Sequence, residues 1–167
     1  MFQVGQYVVY GHCGVCTVEH IGVLEEGTGI SGKEYYTLCP CYHSGGKIYI
    51  PVDSQKVIMR SILSKEEAMQ LIHAIPGVET LWIADERKRE QIYKETIHKC
   101  DCMELVKIIK TIYLRMRARE EAGKKLLESD LKYFHMAEDR LYGELAVSLG
   151  MSLEQTKTFV EEQAAKL

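Results

Sequence analysis

The sequence predicts an α+β protein, in which a small N-terminal β-barrel precedes an all-helical domain of four to five helices. Before about residue 61, short runs rich in β-branched and aromatic residues alternate with turns that contain glycine or proline, which is typical of strands. After that point, the apolar residues recur with helical spacing and follow serine and aspartate cap signals. The predicted domains therefore cover residues 1–62 and 63–167.

The N-terminal domain is predicted to contain five short strands. They cover residues 6–10, 15–21, 35–39, 47–51 and 56–60. The first two form a hairpin, because Gly11 and Gly14 can bend the backbone without a Cβ clash. Pro51 ends the fourth strand, since proline cannot donate to a ladder. Five short strands favour a closed barrel, because closure removes the edges that pair with other chains.

The second half of the chain carries helix start and stop signals. The predicted helices cover residues 64–75, 80–98, 101–122, 128–150 and 152–165, with their ends approximate. Ser64 and Glu67 spell a capping box, and Pro76 with Gly77 ends the first helix. Asp101 and Ser152 are predicted caps of the third and fifth helices.

The composition is that of an ordinary intracellular protein. The chain has 167 residues, is 46% hydrophobic and contains six cysteines, which are expected to be reduced thiols. No apolar run reaches the roughly 20 residues of a membrane span, and no signal-peptide pattern begins the chain, so a cytoplasmic location is expected. The net charge of −3 excludes nucleic-acid binding by overall basicity.

One predicted helix is basic along its length. Between Leu105 and Arg119 there is no acidic residue, and the cations are Lys107, Lys110, Arg115, Arg117 and Arg119; Lys124 and Lys125 follow. An apolar stripe through Leu105, Ile109, Ile112 and Met116 is predicted to face the core, which leaves Lys107, Lys110 and Arg117 on another face. That face could contact phosphates, or it could be an ordinary solvated helix face.

Trp82 is the only tryptophan, and it is predicted to lie near the start of the second helix, just before Arg87, Lys88 and Arg89. A large flat side chain beside cations could stack on an exposed base or wedge into a base step. On composition alone, a lone tryptophan between Leu81 and Ile83 is more often a packing residue of the core or of an interdomain contact.

Cysteines and histidines occur close together in the predicted barrel. Cys13, Cys16, Cys39 and Cys41 could supply four thiolates to zinc, with His12 and His43 beside them. The one-residue gap between Cys39 and Cys41 is not that of a usual zinc knuckle, and free thiols are the alternative. We expect no metal site.

No catalytic motif is present. The sequence lacks a nucleophile elbow, a P-loop, a zinc-protease helix and a dinucleotide-binding glycine pattern. We therefore expect a protein that is not an enzyme and that uses no cofactor and no small-molecule substrate.

The segments VGQYVVYGHCGVCTVEHIG, KEYYTL and KIYIPVD resemble the N-terminal domain of the CarD (CdnL) family of bacterial transcription regulators. The second half is similar in its tryptophan ahead of a basic helix, in the DCMELVK start at Asp101, in Leu114-Arg115 and in the YGELA stretch that begins at Tyr142. The resemblance covers nearly the whole chain, in order.

The resemblance implies a Tudor-like barrel that binds the β-subunit lobe of RNA polymerase, and a helical domain that binds promoter DNA at the upstream edge of the transcription bubble. The expected polymerase contacts are Lys47, Tyr49 and Ile50. The expected DNA contacts are Trp82, Arg87, Lys88, Arg89, Lys107, Lys110, Lys124 and Lys125. The implied protein modulates open-complex stability, is associated with the nucleoid and has no membrane partner.

Two other functions fit the same residues. The acidic net charge favours a module that binds polymerase without gripping DNA. The cysteines favour a zinc-stabilised or thiol-sensing module.

Overall fold

The computed structural model describes residues 1–11, 13–25, 32–56 and 58–165. The chain divides into two compact units, Met1–Ile62 and Leu63–Leu167. Within the described residues, the first unit is a five-stranded antiparallel sheet and the second contains five α-helices, so the predicted α+β class is confirmed.

The strands of the first unit pair in the order β4-β3-β2-β1-β5. They are β1 (Tyr7–Tyr10), β2 (Gly14–Val23), β3 (Glu34–Pro40), β4 (Ile48–Pro51) and β5 (Met59–Ser61). The hairpin between β1 and β2 closes through Gly14. Its φ of +76° would be strained for a residue with a side chain. β4 and β5 end the ladder, and closure of the sheet into a barrel stays a prediction.

One face of the sheet forms the core of this unit. Its buried residues are Val8, Cys16, Val18, Tyr36, Leu38 and Ile50. They come from four strands and recur with the alternation of strand residues, because successive side chains point to opposite faces of a sheet. The register of β2 against β3 shifts between Val18 and His20, which leaves Glu19 at a bulge.

The helices of the second unit are α1 (Lys65–Ala74), α2 (Arg89–His98), α3 (Cys102–Glu121), α4 (Glu128–Leu149) and α5 (Leu153–Ala165). The predicted caps are confirmed: Ser64 and Glu67 form a reciprocal capping box, and the Asp101 carboxylate accepts from the Glu104 amide at 3.0 Å. Ser152 and Gln155 cap α5 in the same reciprocal way. Gly150 ends α4 with a φ of +66°.

The predicted second helix is wrong in its first part. Residues 78–85 are not helical, a 3₁₀ turn follows at Glu86–Lys88, and α2 begins only at Arg89. The Asp85 side chain caps the 3₁₀ turn by accepting from the Arg87 amide at 3.0 Å. The Leu81 amide donates to the Thr111 hydroxyl of α3 at 2.8 Å instead of to a helical carbonyl. Trp82 therefore lies on an extended connection.

The core of the second unit lies between α3 and its neighbours. Leu105, Ile108 and Ile112 are almost completely buried, and Ile109 and Met116 pack against them, so the predicted apolar stripe is confirmed. Among the described residues, no helix is both long enough and apolar enough to cross a membrane.

Candidate nucleic-acid and polymerase interfaces

Trp82 stands out from the surface of the helical unit. It lies on residues 78–85, here called the Trp82 segment, and is 85% exposed. Its neighbours Leu81 and Ile83 are partly buried and pack against the helical core. The alternative of a core tryptophan is therefore wrong: the two flanking side chains anchor the segment, and the indole remains in solvent.

Polar contacts fix the beginning of the Trp82 segment to α3. The Lys110 ammonium donates to the carbonyls of Ile75, Pro76 and Val78 at 2.6, 3.2 and 2.8 Å. These three bonds use all the donors of an ammonium group. Lys110, predicted as a DNA contact, thus holds the end of α1 and the start of the segment.

Four charged residues fix the other end of the segment. We call Glu86, Arg89, Arg115 and Asp130 the ion cluster. Arg115 binds Glu86 through two parallel hydrogen bonds of 2.9 Å, and Arg89 reaches Glu86 at 3.3 Å. Arg89 also donates to the Ser129 hydroxyl at 2.9 Å and lies 3.2 Å from the Asp130 carboxylate. The cluster therefore joins the 3₁₀ turn, α3 and the first turn of α4.

The cluster is buried at its Asp130 end and exposed at its Glu86 end. The Asp130 side chain is 0% exposed and that of Glu86 is 59% exposed. The Nε–carboxylate contacts of Arg89 and Arg115 with Asp130, at 3.2 and 3.9 Å, are ion pairs without hydrogen-bond geometry. Asp130 is therefore held by the charge of two guanidinium groups.

This geometry shifts the pKa values of Glu86, Arg115 and the nearby Tyr93. Hydrogen bonds from Arg115 lower the pKa of Glu86, and the same bonds raise the pKa of Arg115. Burial, with a smaller contribution from the Asp130 charge, raises the pKa of Tyr93 to about 12. The shifted pKa values thus favour the charged forms of Glu86 and Arg115 and the neutral phenol of Tyr93.

The other predicted cations remain at the surface. Arg87 has a side chain that is 94% exposed, and Lys88, Lys124 and Lys125 are exposed as well. We call these four residues the basic patch. The loop that carries Lys124 and Lys125 is fixed by a 2.7 Å bond from Arg119 to the Lys125 carbonyl and by Gly123 at a φ of +68°.

The basic patch and the ion cluster adjoin along the chain. Arg89 follows Lys88 directly in the chain. It contacts Ser129 and Asp130, which lie in the first turn of α4, shortly after Lys125. Lys107 is different, because its ammonium pairs with Glu104 of its own helix at 2.9 Å. The structure therefore places Trp82, Arg87 and Lys88 on one connection, and assigns Arg89 and Lys110 to internal contacts.

The sequence did not single out Glu86, Arg115 and Asp130 as site residues. Arg115 belongs to the basic run of α3, but nothing in that run distinguishes it from Arg117, which is 57% exposed and pairs with Glu121 at 3.6 Å. Only the fold shows that Arg115 faces Glu86 and Asp130.

The residues predicted to contact polymerase lie at one edge of the sheet. Lys47 directly precedes β4, and its ammonium pairs with Glu19 at 2.9 Å; this hydrogen bond raises the pKa of Lys47. Tyr49 is 44% exposed, whereas Ile50 is 5% exposed and packs in the core. The edge therefore presents Lys47 and Tyr49, and the Ile50 side chain is not at the surface.

Cys13, Cys39 and Cys41 of the first unit are free thiols. Cys39 and Cys41 are exposed, and the Cys41 sulfur lies 3.7 Å from the Thr17 hydroxyl. Within the part of the chain that the structure describes, no three metal-ligating side chains come together. His12 lies outside that part. The zinc alternative thus gains no support from the described residues.

A family model, that of the CarD-like/TRCF RID domain, matches residues 2–63, which is the strand unit almost in full. No curated protein matches the chain. Domains of this family interact with RNA polymerase and are protein-interaction domains, not catalytic ones. The five-stranded unit at the N-terminus of this chain therefore matches the CarD-like/TRCF RID domain, and this match supports a polymerase-binding role related to transcription.

Proposed function

We propose that the protein is a transcription regulator that binds the β-subunit lobe of RNA polymerase through residues 1–62 and promoter DNA at the upstream bubble edge through residues 63–167. In this function it modulates the stability of the open complex. The matched domain supports the polymerase contact. The observation that carries the DNA contact is the 85% exposure of Trp82 on a segment fixed at both ends.

An exposed indole next to cations suits the edge of a transcription bubble. A tryptophan carries one of the largest apolar surfaces of any side chain, and leaving it in water forgoes the stabilisation that burial would give. Stacking on an unpaired base recovers that stabilisation, and bases are unpaired at a fork but not in duplex DNA. Arg87 and Lys88, on the same connection, would hold the adjacent phosphates.

The basic patch gives the first test of this proposal. Each cation that binds a phosphate releases about one counterion, so Arg87→Gln is expected to reduce the salt slope of fork-DNA binding by about one unit. The slope is obtained from the dissociation constant at several salt concentrations. Lys65→Gln removes an exposed charge at the start of α1, away from the patch in sequence, and should leave the slope unchanged.

Equal slopes for the wild type and Arg87→Gln would show that Arg87 does not contact phosphate. Absence of measurable fork binding by the wild-type protein would favour the second candidate function, a module that binds polymerase without DNA. The observation in favour of that candidate is that Arg89 and Lys110 are used internally in a chain of net charge −3.

The sheet edge is proposed as the polymerase contact. β4 ends the ladder, so its free side can accept a strand of the polymerase through main-chain hydrogen bonds, with Lys47 and Tyr49 supplying side-chain contacts. Lys47→Glu combined with Tyr49→Ala is expected to weaken co-purification of core polymerase with the full-length protein about tenfold or more.

The control for this double variant is Lys33→Glu with Tyr42→Ala. Lys33 also makes a surface ion pair, with Asp53 at 3.3 Å, and Tyr42 is 40% exposed, close to the exposure of Tyr49. If a folded Lys47/Tyr49 double variant retained polymerase as well as this control does, the β4 edge would not be the docking surface.

A further inference from the structure

We propose that Glu86 and Arg115 are positioning residues for Trp82, which fix the place of the indole without contacting DNA themselves. This inference rests on the proposed DNA contact. Neither the sequence pattern nor the matched domain indicates a role for this exposed end of the ion cluster.

The Trp82 segment is joined to α3 at two places. The Leu81 amide donates to the Thr111 hydroxyl, and Glu86 is bound by Arg115, about one helical turn further along α3. Trp82 lies between these two contacts in the chain, and it is 85% exposed.

The place of the indole is therefore set by where the two ends are held. The first end is held by Lys110 and Thr111, and by the packing of Leu81 and Ile83. The second end is held by the paired hydrogen bonds from Arg115 to Glu86. Such a bidentate pair fixes orientation as well as distance, because the planar guanidinium group and the planar carboxylate must be aligned.

Glu86 contributes little to the stability of the fold itself. Its side chain is 59% exposed, and ion pairs at exposed positions have small net effects on unfolding. The buried contact between Arg89 and Asp130 joins α2 to α4 without Glu86. Removing the Glu86 carboxylate should therefore loosen the Trp82 segment while the helical unit stays folded, which allows positioning and folding to be tested separately.

A loosened segment has to be ordered again when DNA binds. Because ordering a flexible element weakens binding, Glu86→Gln is expected to reduce the preference for forked over duplex DNA about three- to tenfold. The ratio of the two dissociation constants is the quantity to measure, because the loss of one negative charge affects both DNA forms alike. Glu90→Gln has the same charge change at an exposed position of α2 and should leave the ratio unchanged.

Fluorescence gives a direct readout, because Trp82 is the only tryptophan of the chain. Time-resolved anisotropy of free Glu86→Gln protein should show a larger amplitude of fast motion than that of the wild type or of Glu90→Gln. Arg115→Lys, which keeps the charge but loses the paired hydrogen bonds, should resemble Glu86→Gln.

The decisive experiment places Glu86→Gln in a Trp82→Ala background. If Glu86 acts through Trp82, Glu86→Gln should have no further effect on the fork preference there. An unchanged fork preference in the single variant, or an equal loss in both backgrounds, would overturn the positioning role. If Trp82→Ala alone left the fork preference intact, the proposed DNA contact itself would fail, and the anisotropy would still report whether Glu86 orders the segment.

Discussion

Replacing Arg89 with glutamine is expected to lower the free energy of unfolding of the helical unit by about 3–5 kcal/mol. Arg89 is the closer of two guanidinium groups that neutralise Asp130, whose side chain is completely buried, and the other, Arg115, lies 3.9 Å away. Removing Arg89 leaves the buried carboxylate with only the more distant guanidinium, and breaking a buried ion pair in this way is strongly destabilising. Thermal unfolding followed by helical circular dichroism measures the loss, which should lower the melting temperature by more than about 10 °C.

Arg87→Gln is the matched control, because Arg87 lies two positions away and its side chain is 94% exposed. This control should change stability by less than about 0.5 kcal/mol. Replacing the buried pair together, with Arg89→Met and Asp130→Leu, should recover most of the loss, since no buried charge remains. A melting temperature of Arg89→Gln equal to that of Arg87→Gln would show that the pair does not stabilise the fold.

Trp82→Ala is expected to weaken binding to forked DNA by about 1–3 kcal/mol, the usual cost of losing one stacked aromatic ring, and to affect duplex binding little. Because the indole is 85% exposed, the same change should leave the melting temperature nearly unchanged. The salt slope should also persist, since no phosphate contact is lost. Titrations with forked and duplex DNA at several salt concentrations measure the two affinities and the salt slope. A melting curve measures the stability.

Two further variants sharpen this test. Trp82→Phe keeps an aromatic face and should retain most of the fork preference. Tyr113→Ala removes another exposed aromatic side chain of the helical unit, which lies on α3 and not on the Trp82 segment, and should not alter that preference. A Trp82→Ala protein with full affinity for forked DNA, or with normal open-complex lifetime in a transcription assay, would exclude the stacking role.

Local signals in the sequence were sufficient for most of the fold. The caps at Ser64, Asp101 and Ser152 act through residues three positions away, so a short window of sequence contains both partners. The start of the second helix could not be predicted in this way, because it depends on a contact that is distant in the sequence. Thr80 resembles a cap, but the Leu81 amide bonds to Thr111, thirty residues further along, and no local pattern records that contact.

The candidate site was less predictable because it depends on which cations find internal partners. Arg87, Lys88 and Arg89 are adjacent and similar in sequence, yet Arg87 is 94% exposed while Arg89 is 12% exposed against Asp130. Composition alone favours a buried position for Trp82. Only the fold shows that Leu81 and Ile83 pack against the core and that Trp82 does not. On β4, strand alternation does separate the exposed Tyr49 from the buried Ile50.

The small size of the basic patch limits what the helical unit can do alone. Four phosphate contacts give a salt slope of about −3.6, so raising the salt concentration fourfold would weaken binding about a hundredfold. Such a unit would dissociate quickly from bulk chromosomal DNA. Within one chain, however, a docked N-terminal domain would hold it at a millimolar effective concentration next to the promoter. Occupancy would then follow the location of polymerase, and the helical unit would need no sequence recognition of its own.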